Sequence, residues 1–229
     1  MKRIKNIIMN NIGIVCHRGF WEKENEQNTE NAFKLALNNN YGIETDIRER
    51  NDEIIISHDI PINDNFVSLD KLLLIYNDIG RELPLLLNVK SDGIKDKTLS
   101  LLQKYSIENY FLFDMSIPET VQYANDNLVK FLSRVSDLEE SPILLDKAKG
   151  LLVDSFYGDY PSFSFLEKYV EQNYFLCFVS PELHGRQEKT FWISLREWIK
   201  SKNFKRKTVL ICTDKADEAY LHFNHDLED

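Results

Sequence analysis

Eight short apolar runs recur along the chain, and each of them ends in polar residues. The runs cover residues 13–17, 42–47, 84–90, 110–115, 130–135, 150–155, 174–180 and 208–214. Near-continuous apolar runs of this length are typical of parallel strands that helices cover on both faces. Such strands, alternating with helices, indicate an α/β fold and favour a (β/α)8 TIM barrel. The alternative, a doubly wound open sheet, would carry a Gly-rich phosphate loop after its first strand, where this chain has CHRGFWEKEN.

The segments between the runs carry helix signals. Asn28 is a candidate N-cap for ENAFKLAL, and Pro118 suits the first turn of a helix. A further helix is indicated by apolar residues at helical spacing, namely Leu69, Leu72, Leu73 and Tyr76. Segments 162–172 and 187–202 have a similar pattern. An additional strand at 53–59 follows the turn Asn51–Asp52, so we expect a small β-hairpin after strand two.

Composition limits the classes of function. The chain has 229 residues with no linker-like stretch, which predicts a single domain over 1–229. Its net charge of −9 argues against binding to nucleic acid or to anionic membranes. No run reaches the roughly 20 apolar residues of a membrane-spanning helix, and no signal peptide is recognisable. Because the three cysteines lie in apolar runs, we expect buried free thiols and a cytoplasmic protein. The oligomeric state is not indicated.

A barrel places its chemistry at the carboxyl ends of its strands, and distinctive side chains cluster there. His17 and Arg18 end the first run. An imidazole titrates near neutrality and can transfer protons, and a guanidinium can hold an anion. Glu44 and Asp46 are two residues apart on one strand, so both point to the same face. Such a pair suits a hard cation such as Mg²⁺ or Ca²⁺, although an exposed acidic pair is the simpler alternative.

Two more candidates follow the next strands. His58 ends the hairpin, and Lys90 ends the third run. Two imidazoles can act as general acid and base, and a lysine with an arginine can neutralise a phosphate. Together with a divalent cation these groups are suited to cleaving a phosphodiester.

Several motifs resemble the glycerophosphodiester phosphodiesterase family. They are CHRG at 16–19, NTENAFKLAL at 28–37, GIETDIRERNDEIIISHD at 42–59, LLLNVK at 85–90 and ICTDKADEA at 211–219. The resemblance implies a (β/α)8 barrel, a divalent metal and hydrolysis of glycerophosphodiesters to glycerol 3-phosphate and an alcohol. It also implies that His17 and His58 are the acid–base pair, that Glu44 and Asp46 are metal ligands, and that Arg18 and Lys90 contact phosphate.

The sequence departs from the family pattern in two places. Gln27 stands where the family usually has Glu. Asn88 stands where the family has a third carboxylate ligand, so the implied metal set is Glu44, Asp46 and Asn88, with a lower affinity for the metal.

The second half of the chain carries further candidate site residues. His184 and Arg186 follow the seventh run, where barrels often bind phosphate, and could contact the substrate headgroup. A surface loop is an equally good interpretation of them. Asp114 and Asp154 are alternative metal ligands. The sequence leaves three functions open. Besides hydrolysis, the same groups support a lyase that forms a cyclic phosphate, or a barrel that binds a phosphorylated headgroup without cleaving it.

Overall fold

A computed structural model describes residues 12–62, 65–202 and 209–224. The strands are Gly13–His17 (β1), Gly42–Arg50 (β2), Glu53–Ile56 (β3), Leu85–Val89 (β4), Tyr110–Phe113 (β5), Leu132–Val135 (β6), Gly150–Val153 (β7), Phe175–Val179 (β8) and Val209–Thr213 (β9). The α-helices are Glu30–Asn38 (α1), Leu69–Ile79 (α2), Lys95–Lys104 (α3), Ile117–Ala124 (α4), Phe163–Glu171 (α5), Lys189–Ser201 (α6) and Ala216–Asn224 (α7).

Eight of the strands are parallel and form a nearly closed (β/α)8 TIM barrel, as predicted. Their order is β5-β4-β2-β1-β9-β8-β7-β6. The two ends of this order meet through a single bridge, in which the amide of Leu112 donates to the carbonyl of Lys130 at 2.9 Å. β3 lies outside this ring and pairs antiparallel with β2, which confirms the hairpin.

Two apolar layers explain why the strands are apolar almost throughout. Alternate side chains point to opposite faces of a strand. On β4, Leu85 and Leu87 pack outward against the helices, whereas Leu86 belongs to a separate cluster inside the barrel. That inner cluster includes Cys177 and Cys212, which with Cys16 are buried free thiols. Because both faces are buried, these strands carry few polar residues except at their ends.

Most helices lie where the sequence indicates them, with three differences. Thr29, rather than Asn28, caps α1, since its side chain accepts from the amide of Ala32 at 3.2 Å. Helices α3 and α7 were not predicted. In α7, the ring of His222 lies 5.7 Å from that of Trp192, so it packs against α6.

The third difference concerns the connection between β6 and β7. Residues 136–149 are all described, and they form turns and bends without a helix. Side chains hold this connection: the hydroxyl of Ser133 donates to the carbonyl of Ile143 at 2.7 Å, and that of Ser136 accepts from the amide of Glu139 at 3.0 Å. Among the helices described, none is long and apolar enough to cross a membrane.

Candidate active site

A pocket of about 300 Å³ opens at the carboxyl ends of the barrel strands. Eight of the nine predicted site residues line it, namely His17, Arg18, Glu44, Asp46, His58, Asn88, Lys90 and His184. The barrel therefore brings together side chains that are up to 167 positions apart by their residue numbers, from 17 to 184. Arg186, the ninth, is not part of the lining.

The turn after β1 positions Arg18 by an unusual backbone. Arg18 has φ +58°, and Gly19 has φ +87°. A Cβ at Gly19 would lie 2.8 Å from the Cβ of Ala32, so only glycine fits there. Nη1 of Arg18 donates to Oε1 of Gln27 at 3.0 Å. Because Gln27 is neutral, where the family usually has Glu, this contact orients Arg18 without offsetting its charge.

His17 is held by an acid from the neighbouring strand. Its Nδ1 lies 2.8 Å from Oδ1 of Asp214, which directly follows β9, the strand that pairs with β1. Burial lowers the pKa of His17, but the hydrogen bond to Asp214 and the charge of Glu44 outweigh burial and raise it above 6.5. Engagement of Nδ1 by Asp214 leaves Nε2 free for proton transfer.

Asp214 is the residue that our sequence analysis missed. It is not a lining residue of the pocket, and the sequence places it only at the polar end of the run 208–214. The side chain of Glu182 supports it by accepting from the Asp214 amide at 3.3 Å and from the hydroxyl of Thr213. The contact with His17 could have been predicted from the barrel, because closure of a barrel pairs its first and last strands.

Glu44 and Asp46 lie side by side on β2, as their spacing predicts, and both are at least 96% buried, at 4% and 2% exposure. Burial, followed by the charge of Asp46, raises the pKa of Glu44 to about 7. Two cations approach Asp46: Nε of Arg18 is 3.4 Å from Oδ2, and Nζ of Lys90 is 3.4 Å from Oδ1. The buried acids are therefore only partly compensated by protein cations.

Asn88 lies beside this pair, because the parallel register sets it opposite Asp46. Oδ1 of Asn88 and Oδ2 of Asp46 are both buried and lack a hydrogen-bond partner. Buried polar atoms are seldom left unpaired, so these oxygens suit a hard cation, which prefers oxygen ligands. Within the described part of the chain, no three His, Cys, Asp or Glu side chains are grouped to hold a metal. The candidate set is thus two carboxylates with an amide.

His58 faces the pocket from the loop after β3 and is 46% exposed. Its Nδ1 lies 2.9 Å from Oδ1 of Asp59, and its carbonyl accepts from Nη2 of Arg48 at 2.9 Å. The imidazoles of His17 and His58 therefore line one pocket from different sides, His17 half-buried at the end of β1 and His58 exposed on the loop after β3.

The other half of the pocket is built on β5, β6 and β7. Arg134 pairs with both Asp114 and Asp154, the two acids suggested as alternative metal ligands. Nε2 of His184 lies 2.8 Å from Oδ1 of Asp154. His184 thus meets the pocket as expected.

Arg186, which we expect to contact the substrate headgroup, lies outside the lining of this pocket. Its guanidinium donates to the carbonyls of Gly158, at 2.8 Å, and Ser155, which fixes the loop after β7. The cause is Gly185, whose φ of +69° ends the short helix Pro181–His184 and turns the chain away.

Comparison with known proteins shows likeness in structure but not in sequence. No protein-family model and no curated protein matches the chain. A protein from Galdieria sulphuraria, assigned as a glycerophosphodiester phosphodiesterase, is 20% identical with a TM-score of 0.71, covering 94% of this chain and 98% of that one. The Agrobacterium tumefaciens glycerophosphodiester phosphodiesterase is 16% identical with a TM-score of 0.63, covering 92% and 99%. The Thermotoga maritima enzyme is 14% identical with a TM-score of 0.60, covering 92% and 96%. The chain therefore shares their fold over nearly its whole length.

Proposed function

We propose that this chain is a phosphoric diester hydrolase that cleaves glycerophosphodiester-type substrates with the help of a divalent cation. The observation that carries the proposal is that one pocket at the carboxyl ends of the barrel strands brings together three pairs of side chains: the imidazoles of His17 and His58, the buried carboxylates of Glu44 and Asp46, and the cations of Arg18 and Lys90. The likeness to structures named as glycerophosphodiester phosphodiesterases supports it, as does the resemblance of the motifs at residues 16–19 and 42–59.

The phosphate would be held by Arg18 and Lys90. Both approach Asp46 from the pocket side at 3.4 Å, so a phosphate placed there meets two cations on an acidic protein. A guanidinium offers paired donors, and an ammonium offers a compact charge. These contacts also persist as charge grows on the phosphoryl oxygens.

Proton transfer would fall to His17 and His58. Hydrolysis joins a water oxygen to phosphorus and breaks the bond from phosphorus to the alcohol oxygen. One imidazole accepts a proton from the water, and the other donates one to the departing alcohol. His17 would use Nε2, because Asp214 holds its Nδ1.

Glu44, Asp46 and Asn88 are the residues that would hold the cation. Their buried oxygens, two of which lack a hydrogen-bond partner, are of the type that Mg²⁺ or Ca²⁺ prefers as ligands. When bound, a divalent ion polarises phosphoryl oxygens and offsets developing negative charge. The amide at position 88 supplies an oxygen without a charge, so we expect weaker binding than with three carboxylates.

Phosphorus NMR of the products tests the reaction. The chain is incubated with a glycerophosphodiester, with and without Mg²⁺ or Ca²⁺. Direct appearance of a phosphate monoester supports hydrolysis, and a cyclic phosphate supports the lyase instead. Thermal stabilisation by the diester without any product after long incubation supports a binding protein and overturns the proposal.

Calorimetric titration with Mg²⁺ and Ca²⁺ tests the cation site. We expect Glu44→Gln to abolish binding, and Asn88→Glu to tighten it by at least about tenfold, because an added charge lies next to the ion in a low-dielectric pocket. Asn38→Glu, on the exposed end of α1, is the matched control. An unchanged affinity of Asn88→Glu, with binding lost in Glu44→Gln, would exclude β4 from the site.

A further inference from the structure

The half of the pocket away from the candidate metal ligands has a composition of its own. We call it the far wall, formed by Asp114, Arg134, Asp154, Phe156 and His184. It lies on β5, β6, β7 and the short helix after β8, whereas the candidate phosphate and metal groups lie on β1, β2 and β4. We propose that the far wall binds the alcohol portion of the phosphodiester and selects a neutral alcohol rich in hydroxyl groups. This inference rests on the proposed function.

Arg134 organises the far wall and has few donors left for an anion. Its Nη2 bonds to Oδ1 of Asp114, its Nη1 lies 3.4 Å from Oδ2 of Asp154, and its Nε lies 3.4 Å from Oε2 of Glu139. All three nitrogens of the guanidinium therefore face carboxylates. An anionic headgroup would meet two carboxylates in this half of the pocket and a guanidinium already engaged, so the far wall rejects it.

A cationic headgroup is disfavoured for a different reason. Recognition of a substituted ammonium uses an open aromatic face. The face of Phe156 is already taken, because the guanidinium carbon of Arg134 lies 5.0 Å from the centroid of that ring. An ammonium in this place would also have to compete with the guanidinium of Arg134, which already pairs with the carboxylates of Asp114 and Asp154.

Hydroxyl groups match what the far wall still offers. The carboxylates of Asp114 and Asp154 can accept further hydrogen bonds from hydroxyls, and Nδ1 of His184 is left for another, because Nε2 is engaged by Asp154. The ring of Phe156 also packs on His184, with centroids 5.1 Å apart, and presents apolar surface to C–H groups. A few polar groups around apolar side chains, in a pocket of about 300 Å³, fit a small polyol.

The far wall is held rigidly by residues outside the pocket. The carboxylate of Asp137 accepts from the amides of Phe156, Tyr157 and Gly158, each at 2.8 Å. Arg186 holds the same loop from its carbonyl side. Phe156 is thus fixed before a ligand arrives, which reduces the entropy lost on binding. This assigns Arg186 a positioning role.

A series of glycerophosphodiesters that differ only in the alcohol tests the inference. The alcohols are glycerol, myo-inositol, choline, ethanolamine and serine, and release of glycerol 3-phosphate gives kcat/KM for each. The glycerophosphoryl part is constant, so any difference reports on the alcohol. We expect the glycerol and inositol diesters to exceed the choline and serine diesters by about tenfold or more, since buried polar groups are left unpaired by the wrong alcohol.

Variants connect that preference to the far wall. Asp114→Ala should lower kcat/KM for the inositol diester by about tenfold and change the choline diester by less than about threefold. Asp114→Asn, which keeps the acceptor oxygen, should lie between, and it replaces the alanine variant if that does not fold. Asp146→Ala, in the exposed connection before β7, is the matched control.

The outcomes separate this inference from the proposed function. Equal rates for all alcohols, or a preference for choline or serine, would overturn the inference and leave the hydrolase intact. If no diester reacts, the proposed function fails, and saturation-transfer NMR with free myo-inositol and choline decides the inference. Binding of inositol that Asp114→Ala weakens supports the far wall, and its absence overturns it.

Discussion

The contact between Asp214 and His17 makes a quantitative prediction. Asp214 lies 2.8 Å from Nδ1 of His17, is 25% exposed and does not line the pocket. The substitution Asp214→Asn keeps the shape and removes the charge. A hydrogen bond to a charged group contributes about 1.5–3 kcal/mol. Since about 1.4 kcal/mol corresponds to a tenfold rate change, we expect kcat to fall about 10- to 100-fold.

The effect should fall on kcat rather than on KM. Asp214 acts through His17 and does not meet the substrate, so KM should change by less than about threefold. Asp217→Asn is the matched control, because Asp217 accepts from the hydroxyl of Tyr41 at 2.7 Å and belongs to α7. Steady-state kinetics on a glycerophosphodiester, with melting temperatures of both variants, provides the measurement. A kcat within threefold of the parent, in a folded Asp214→Asn variant, would refute the argument that Asp214 orients His17.

Three further predictions concern other residues of the pocket and its support. His17→Ala and His58→Ala should each lower kcat by about 100-fold or more with an unchanged circular dichroism spectrum, and activity within tenfold of the parent contradicts the acid–base role. Lys90→Ala should raise KM and lower kcat together, because a charge paired with phosphate acts in both the ground and transition states, and unchanged kinetics would place Lys90 outside the site. Desolvation raises the pKa of Asp137, but three amides outweigh it and lower the pKa from 3.8 to about 2, so its stabilising effect is present above pH 3.8 and is lost as the pH falls through about 2. Urea unfolding should therefore find Asp137→Asn less stable than the parent at pH 5 and equal to it below pH 2, and a difference independent of pH argues against the amide contacts.

The barrel could be predicted from the sequence because each parallel strand is buried on both faces and ends in polar residues. That pattern is local and repeats along the chain. The start of α1 could not be predicted to the residue, because Asn28 and Thr29 are both good caps. The choice depends on β2: the hydroxyl of Thr45 donates to Oδ1 of Asn28 at 2.7 Å, which leaves Thr29 to cap the helix.

The half of the pocket with the candidate metal and phosphate groups could also be predicted from the sequence, because its residues lie on strands that the local pattern identifies. His17 ends β1, Arg18 follows it, and Glu44 and Asp46 lie on β2, which pairs directly with β1, so their meeting follows once the barrel is assumed. The far wall depends on which side chains pair across several strands, and sequence spacing does not specify that Arg134 engages both Asp114 and Asp154. Arg186 is two residues from His184 in sequence, but it lies outside the lining of this pocket, beyond the left-handed residue Gly185.

The neutral side chain of Asn88 affects the charge of the pocket and therefore which anions the pocket can bind. In the half of the pocket with the candidate metal and phosphate groups, Arg18 and Lys90 both lie 3.4 Å from Asp46, so the two carboxylates on β2 are only partly compensated. A third carboxylate on β4 would leave an excess negative charge and would favour a divalent ion more strongly. With an amide in that position, Arg18 and Lys90 have fewer acidic groups to neutralise. They can therefore interact more strongly with a phosphate. A chain with a net charge of −9 can therefore attract an anionic diester locally, while the acidic residues of the far wall keep a second anion out.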